Sequence, residues 1–398
     1  MNDLVQNTAE LRSFNIKKII SHLRVNQPTT KKELADRINL SFATVSNICN
    51  QLVSDGILQD MDSEAFNGGR IPKLVAINPC SKYILGLDLI QNEFVKVAVI
   101  NLKGEIIRVS NEKLPLTKDL NEILQFTHQL ALQVLGEQKI AYENLIGIGV
   151  AAPGIFNKNS CTIVNSTDPI FENQPLQEMI GSLFKLPVCI ENESNLLVVA
   201  TALAGNPDFQ NKDLIYIYIG DGLGTGIISN GKVVTGSTGL GGEISHMPIG
   251  NRGFECYCGH TGCIETELNL NGFLKKYYPT DISQPQDPNQ AWRQFLEAVA
   301  SGETQALKVI AENGKLLGRL IAVLVNIFDP EAIYIGGIIE PLFDSLFPHL
   351  MSEVKSRIIL NRLRDVPVFL GPDYETLLFR GCSEMVFNEW TPQVTKIS

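Results

Sequence analysis

Apolar positions recur at helical spacing three times near the start of the chain. In residues 14–24, FNIKKIISHLR, Ile16, Ile19, Ile20 and Leu23 fall at i, i+3, i+4 and i+7, one face of a helix. Asn26-Gln27-Pro28 ends it. Thr30-Lys31-Lys32-Glu33 then forms a capping box: the threonine caps a second helix and the glutamate reaches back. Leu34, Ala35 and Ile38 are the buried face of that helix, and Asn39-Leu40 turns the chain. Ser41 caps a third helix with the buried stripe Val45, Ile48, Cys49 and Leu52, and Asp55-Gly56 stops it. Ala43, Thr44, Ser46, Asn47 and Asn50 are left mainly outward. Ile57–Gln59 and Lys73–Ile77 read as strands around a polar tip, Ser63 to Arg70. Three short helices with a tight turn before the third, followed by this wing, predict a winged helix-turn-helix.

Past residue 78 the apolar runs alternate between strand and helix. Tyr83–Leu89, Phe94–Ile100 and Glu105–Val109 read as strands, a helix follows near 118–135, and Ile146–Val150 is a buried strand ending in Ala152-Pro153-Gly154. Strand Val188–Ile190 leads through Glu191-Asn192-Glu193-Ser194-Asn195 into a helix ending at Gly205. A second block opens with strand Leu214–Ile219, a glycine-rich turn Gly220–Gly226 and strand Ile227–Ser229, with Asn230-Gly231 as a hairpin signal. Leu316–Phe328 is a helix, Ile333–Ile335 a strand, Gly336-Gly337 a break, and residues 375–389 a closing helix. Two α/β blocks with a mixed sheet make the region between them the default ligand cleft. The glycine turn can present backbone N–H groups to phosphates, a weak signal on its own.

At 398 residues the chain is too long for one ordinary domain. It contains no run of eighteen apolar residues and its first residues lack the apolar core of a signal peptide, so a cytoplasmic protein with no membrane partner is expected. The net charge of −10 argues against wholesale nucleic-acid binding, but the charge is uneven. From Leu11 to Val53 there are seven basic and two acidic residues, which is +5 and leaves −15 for the remainder. A basic head on an acidic body is the pattern of a DNA reader joined to something else. Lys31, Lys32 and Ser41 would hold phosphates, while Ala43, Thr44, Ser46, Asn47 and Asn50 would face base edges. Arg70 would reach a phosphate or a minor groove. The competing reading is a helical bundle for protein contact. Cap, turn, charge and wing together favour DNA, whereas Asn47 alone carries little weight.

The densest chemistry lies between Gly239 and Glu267, where Cys256, Cys258 and Cys263 cluster and His246 stands ten positions before the first of them. Three thiolates and one imidazole make a closed tetrahedral zinc set. Five other cysteines, Cys49, Cys80, Cys161, Cys189 and Cys382, are scattered, as free thiols in a reducing compartment are. His260 is a rival fourth ligand; His246 is preferred because Glu243 and Glu265 would then share one polar pocket with it. Two carboxylates beside a fixed imidazole suit a polyhydroxyl ligand, against the plainer reading of two solvated surface glutamates.

These motifs resemble the ROK family (repressors, open reading frames, kinases), in its transcription-regulator branch. The resemblance runs from about residue 13 to 390 through LSFATVSN, GGRIPKLVAINP, APG, ENESN, GDGLGTGIISNGK, GGEISH, CYCGHTGCIE and FDPEAIYIGG. It implies a two-lobed, actin-like (ribonuclease-H-like) ATPase fold. The expected division is a head at 1–78, a first lobe at 79–192 plus 376–398, and a second lobe at 193–375 with the zinc loop. The resemblance implies zinc at His246, Cys256, Cys258 and Cys263, and a sugar met by Asn192, Glu193, Glu243, His246 and Glu265, with His246 giving one nitrogen to metal and the other to sugar. Against the family's kinases, Asp88 is followed by Leu89-Ile90-Gln91-Asn92 where the first phosphate motif has glycine and threonine. Asp221 replaces a threonine-like residue in the second phosphate turn, and Glu193 replaces the catalytic aspartate. Ser245 replaces a glycine. A carboxylate about 4 Å from a phosphate charge costs roughly 4 kcal/mol at an effective dielectric near 20. The expectation is therefore a sugar-responsive repressor with a degenerate kinase cleft. It would bind palindromic double-stranded operator DNA as a homodimer or homotetramer and answer to a sugar or sugar phosphate. The alternative is an ATP-dependent sugar kinase with an accessory head.

Overall fold

A computed structural model describes residues 8–26, 28–62, 73–89, 94–114, 119–152, 154–166, 168–205, 213–250, 252–278, 285–359 and 365–390. The head comprises α1 (Thr8–Val25), β1 (Thr29–Thr30), α2 (Lys31–Ile38), α3 (Phe42–Ser54), β2 (Leu58–Met61) and β3 (Leu74–Ile77). The capping box forms in both directions: Glu33 N–H donates to Thr30 Oγ1 and Thr30 N–H to Glu33 Oε2, each at 3.2 Å. Asn39 ends α2 in the left-handed region at φ 54°, and Ser41 caps α3 by accepting from Thr44 N–H at 3.1 Å. The three strands pair antiparallel in the order β1-β3-β2. Residues 63–72 of the wing, Arg70 among them, lie outside the described residues.

The first α/β layer contains β4 (Tyr83–Asp88), β5 (Phe94–Asn101), β6 (Ile106–Lys113), α4 (Leu120–Glu137), β7 (Leu145–Ala152), β8 (Ile155–Asn157), β9 (Thr162–Asn165), α5 (Leu176–Phe184) and β10 (Val188–Asn192). Its five-stranded sheet runs β10-β7-β4-β5-β6, parallel from β10 to β4 and antiparallel beyond. Every residue of β7 is buried, as a strand covered on both faces must be.

The second layer contains α6 (Glu193–Gly205), β11 (Leu214–Ile219), β12 (Leu223–Ser229), β13 (Lys232–Val233), α7 (Glu265–Leu268), α8 (Leu270–Tyr277), α9 (Pro288–Ala300), α10 (Thr304–Phe328), β14 (Ala332–Gly337), α11 (Phe343–Arg357) and β15 (Val368–Leu370); α12 (Tyr374–Glu389) follows and from Leu378 on belongs with the first layer. Its sheet runs β13-β12-β11-β14-β15, with β11, β14 and β15 parallel. Numbered within each layer, both sheets have the strand order 3-2-1-4-5. The same mixed sheet is thus built twice.

The chain divides into two compact units: Met1–Asn192 with Leu203–Pro207 and Leu378–Ser398, and Glu193–Ala202 with Asp208–Leu377. The head is not a detached bead in the first of these. Ile16, Ile19, Ile20 and Leu23 of α1 share one core with Ile84, Ile100 and Leu102 of the sheet region and with Phe379, Val386 and Phe387 of α12. Glycines on β4 and β7 admit that helix: a Cβ on Gly86 would lie 2.6 Å from the Phe379 ring, and one on Gly149 would lie 2.6 Å from the Cys382 carbonyl oxygen. In the second unit, the expected glycine turn Gly220–Gly226 is mostly strand. Ile219 pairs with Leu223, so only Gly220-Asp221-Gly222 turns, and Gly224 and Gly226 belong to β12.

Candidate metal centre and acidic ligand site

The loop before α7 folds back on itself through short backbone bonds: Cys256 N–H to His260 O at 2.8 Å and Gly262 N–H to Phe254 O at 3.0 Å. Gly259 and Gly262 sit at φ 89° and 79°, where a side chain would be strained. This brings one donor atom from each of His246, Cys256, Cys258 and Cys263 within 4.8 Å of one another. Cys258 Sγ is 3.6 Å from Cys263 Sγ, and Cys256 Sγ is 3.5 Å from His246 Nδ1. A disulfide needs about 2.05 Å. Thiolates held about 2.3 Å from a tetrahedral zinc stand roughly 3.8 Å apart, close to the spacing seen. The donor set therefore fits a closed tetrahedral metal site. His260 Nδ1 lies 3.5 Å from Cys258 Sγ but is not one of the four mutually close donors. A backbone hydrogen bond from His260 holds the Cys258 thiol below its ordinary value, while burial pushes Cys256 and Cys263 up.

Glu265, the first residue of α7, is buried beside this cluster. Its Oε1 accepts from Leu223 N–H at 3.3 Å, and its Oε2 lies 3.5 Å from His246 Nδ1 and 3.8 Å from Cys256 Sγ. Burial, with the negative charge of Glu243 adding to it, lifts its carboxyl to about 7. Burial also raises the Glu243 carboxyl. The outer nitrogen of the histidine, Nε2, lies 3.3 Å from Tyr257 Oη. Tyr257, between two cysteines, carries no sequence signal for this contact. Behind the loop, Glu267 accepts from Arg252 N–H at 2.7 Å and pairs with buried Lys276 at 2.9 Å, and Lys276 donates onward to Asn313.

The remaining two proposed sugar residues stand differently. Glu193 begins α6, and its carboxylate accepts from the Tyr374 hydroxyl. The Tyr374 ring stacks on Tyr218 with centroids 4.9 Å apart. Asn192 ends β10 in the first unit, and its Oδ1 accepts from Phe156 N–H at 3.0 Å. Glu193, Glu243, His246 and Glu265 all belong to the second unit.

Two N–H groups of the candidate phosphate turn are already engaged. Gly220 N–H donates to Gly222 O at 2.8 Å, and Leu223 N–H donates to Glu265. The Tyr218 ring covers Gly220, where a Cβ would come within 2.9 Å of it. Asp221 is exposed at the tip. Asp88 ends β4 and is buried; Ile90 lies outside the described residues. With Gly220 N–H on a carbonyl and Leu223 N–H on a carboxylate, two donors of the turn are withdrawn from a nucleotide. A ligand held at about 100 times its Kd adds about 2.7 kcal/mol. We expect ATP with magnesium to leave the melting temperature unchanged, and a clear upshift in thermal denaturation would contradict this.

In the head, Ala43, Asn47 and Asn50 are exposed on α3 and Thr44 and Ser46 partly so, as the helical phase predicts. Lys32 is exposed, Lys31 Nζ donates to Asn50 Oδ1 at 2.6 Å, and Ser41 is committed to its cap. Arg24 is a correction to the charge count. Its side chain is 7% exposed and bonds Leu102 O, Ser383 and Glu384, so one of the seven basic residues turns inward.

The ROK family model matches residues 85–370, most of the chain. The protein belongs to the ROK family. A winged helix-turn-helix DNA-binding model matches residues 15–59. This ROK protein is 27% identical over 391 residues to the xylose repressor of Caldicellulosiruptor bescii, covering 95% of this chain and 96% of that one. It is 26% identical over 349 residues to the DNA-binding transcriptional dual regulator NagC of Escherichia coli, covering 86% and 84%. A solved ROK family transcriptional regulator, described as a homologue of the E. coli MLC protein, superposes with a TM-score of 0.79 at 21% identity, covering 95% and 97%. The fold is a winged helix-turn-helix joined to an actin-like α/β body. Among the described residues no helix is long and apolar enough to cross a membrane.

Proposed function

We propose that this ROK protein is a sugar-responsive transcriptional repressor that carries one structural zinc per chain and performs no phosphoryl transfer. The observation that carries the reading is Glu265. One oxygen occupies the N–H at the phosphate turn and the other faces the histidine of the metal cluster. A site built this way can hold hydroxyl groups beside a metal-fixed loop, and it has given up its nucleotide cradle. His246, Cys256, Cys258 and Cys263 would hold the zinc, which supplies rigidity and no chemistry. Glu193, Glu243, His246 and Glu265 would meet the sugar. Three carboxylates disfavour a phosphorylated effector, so a neutral sugar is the better fit. The similar repressors are named for different sugars, and their names do not choose one.

A second copy of the chain would place two α3 helices in successive major grooves of a palindromic operator, in the cytoplasm where that DNA lies. The test is operator selection from random DNA, repeated with D-xylose, N-acetylglucosamine and a wider sugar panel. We expect a palindrome to be enriched without sugar and one sugar to abolish the enrichment; no enriched sequence would sink the proposal. Within the selected operator, Asn47→Ala should cost about 1–3 kcal/mol and relax one base position. Lys32→Ala should weaken all sequences alike and lower the salt slope by about 0.9, as one lost phosphate contact does. Fluorescence anisotropy over a salt series separates the two.

A further inference from the structure

We infer that Lys31 sets base specificity: by holding the side-chain oxygen of Asn50 it makes that amide a reader of guanine and not of adenine. The inference rests on the proposed reading of the chain as a repressor with α3 in the major groove. Ala43, Asn47 and Asn50 are exposed on α3 at i, i+4 and i+7, so one stripe of the helix carries two asparagines. An uncommitted asparagine amide has an oxygen that accepts and an NH2 that donates. That combination matches the N6 donor and N7 acceptor of adenine. At Asn50 the oxygen is taken. Lys31 Nζ donates to Asn50 Oδ1 at 2.6 Å, across 19 positions of sequence.

Lys31 has a physical reason to lie there. It is the first residue of α2, the end of a helix whose dipole repels a cation. The ammonium gains by leaning off its own helix and onto α3. Its field reaches that helix elsewhere too. Burial pushes the thiol of Cys49, one residue before Asn50, up to about 11, and the charge on Lys31 opposes the rise. A lysine can only donate, so the Asn50 amide cannot turn over without setting N–H against N–H. The pair therefore offers the groove donors: the NH2 of Asn50 and the remaining N–H groups of the ammonium. Guanine O6 and N7 are both acceptors and satisfy them. The N6 amino group of adenine would have to approach an oxygen already bonded to a cation. Lys31 is thus a positioning residue for a base contact, where the sequence suggested a phosphate contact.

The test is selection from random double-stranded DNA with the full-length wild type, Asn50→Ala, Lys31→Met and Lys31→Arg. Asn50→Ala locates the contact and should lose its preference at one base pair per half-site. Wild type should favour guanine over adenine at that pair by roughly 5- to 150-fold, the discrimination that a bidentate base contact supplies. Lys31→Met frees the oxygen, so the preference there should pass to adenine while the pair read by Asn47 stays as it was. Lys31→Arg keeps a cation over Asn50 and should keep guanine. A lysine that served only phosphates would, once replaced, weaken all sequences alike, lower the salt slope by about 0.9 and leave every base preference in place. That result overturns the inference and leaves the proposed function standing. So does a wild type that favours another base at the Asn50 pair, an Asn50→Ala protein that changes no pair, or a Lys31→Met protein whose guanine preference fades without passing to adenine. A wild type that enriches no sequence overturns both.

Discussion

Cys258→Ser should leave operator binding near its wild-type strength and abolish the response to sugar. The argument starts from what holds the acidic residues in place. Glu265 follows Cys263 by two residues, and His246 is both its neighbour and a donor of the metal cluster. Four donors within 4.8 Å include three thiols in a short loop. Without a cation the three thiols lose their common partner, and only backbone bonds such as Cys256 N–H to His260 O and Gly262 N–H to Phe254 O hold the loop. Cys258 is the least buried of the three, so its hydroxyl replacement strands the fewest packed atoms. The head folds on a core of its own residues, the first sheet and α12, none of it drawn from the metal loop. Zinc measured per chain by elemental analysis should drop from about one to near zero. The ratio of operator affinities with and without sugar, expected at about 5–150 in wild type, should collapse to about one. A metal-free Cys258→Ser protein that still releases operator on adding the sugar breaks the link between metal and ligand site.

Local signals were legible in the sequence and distant ones were not. The capping box Thr30–Glu33 and the Ser41 cap act over three residues, so reading them needs no tertiary knowledge. The metal loop is equally local, since Cys256, Cys258 and Cys263 can meet at one ion whatever surrounds them. The strand order 3-2-1-4-5 was not legible, because periodicity gives elements and not their neighbours. Helix α11 passed unnoticed with Pro348 inside it, a residue that ordinarily interrupts a helix. Arg24 was counted with the DNA-facing charges, yet its partner Glu384 is 360 positions away. Tyr374 has its partner Glu193 181 positions away and carries no motif. The glycines of β12 misled most directly. Gly224 and Gly226 suggested a loop for phosphates, whereas they make room for Ser194 at the start of α6.

That reassignment yields the second large effect: Gly226→Ala should destabilise the protein by about 3 kcal/mol or more. A Cβ on Gly226 would stand 2.0 Å from the Ser194 carbonyl oxygen and 2.9 Å from Val198. Both atoms are on α6, and the first is backbone, so no side chain can rotate to relieve the clash. The helix must lift off β12, and Glu193, one residue before Ser194, moves with it. Sugar binding should therefore weaken together with stability. Gly136→Ala is the control: it lies in α4, has open space where a Cβ would go, and should stabilise by about 0.5–1 kcal/mol through helix propensity alone. Urea unfolding of both variants reads the difference directly. If these glycines instead served a nucleotide, Gly226→Ala would fold as stably as wild type and change only ATP affinity. A wild-type unfolding midpoint in Gly226→Ala would restore the phosphate-turn reading and remove the main structural reason for separating this chain from the kinases of its family.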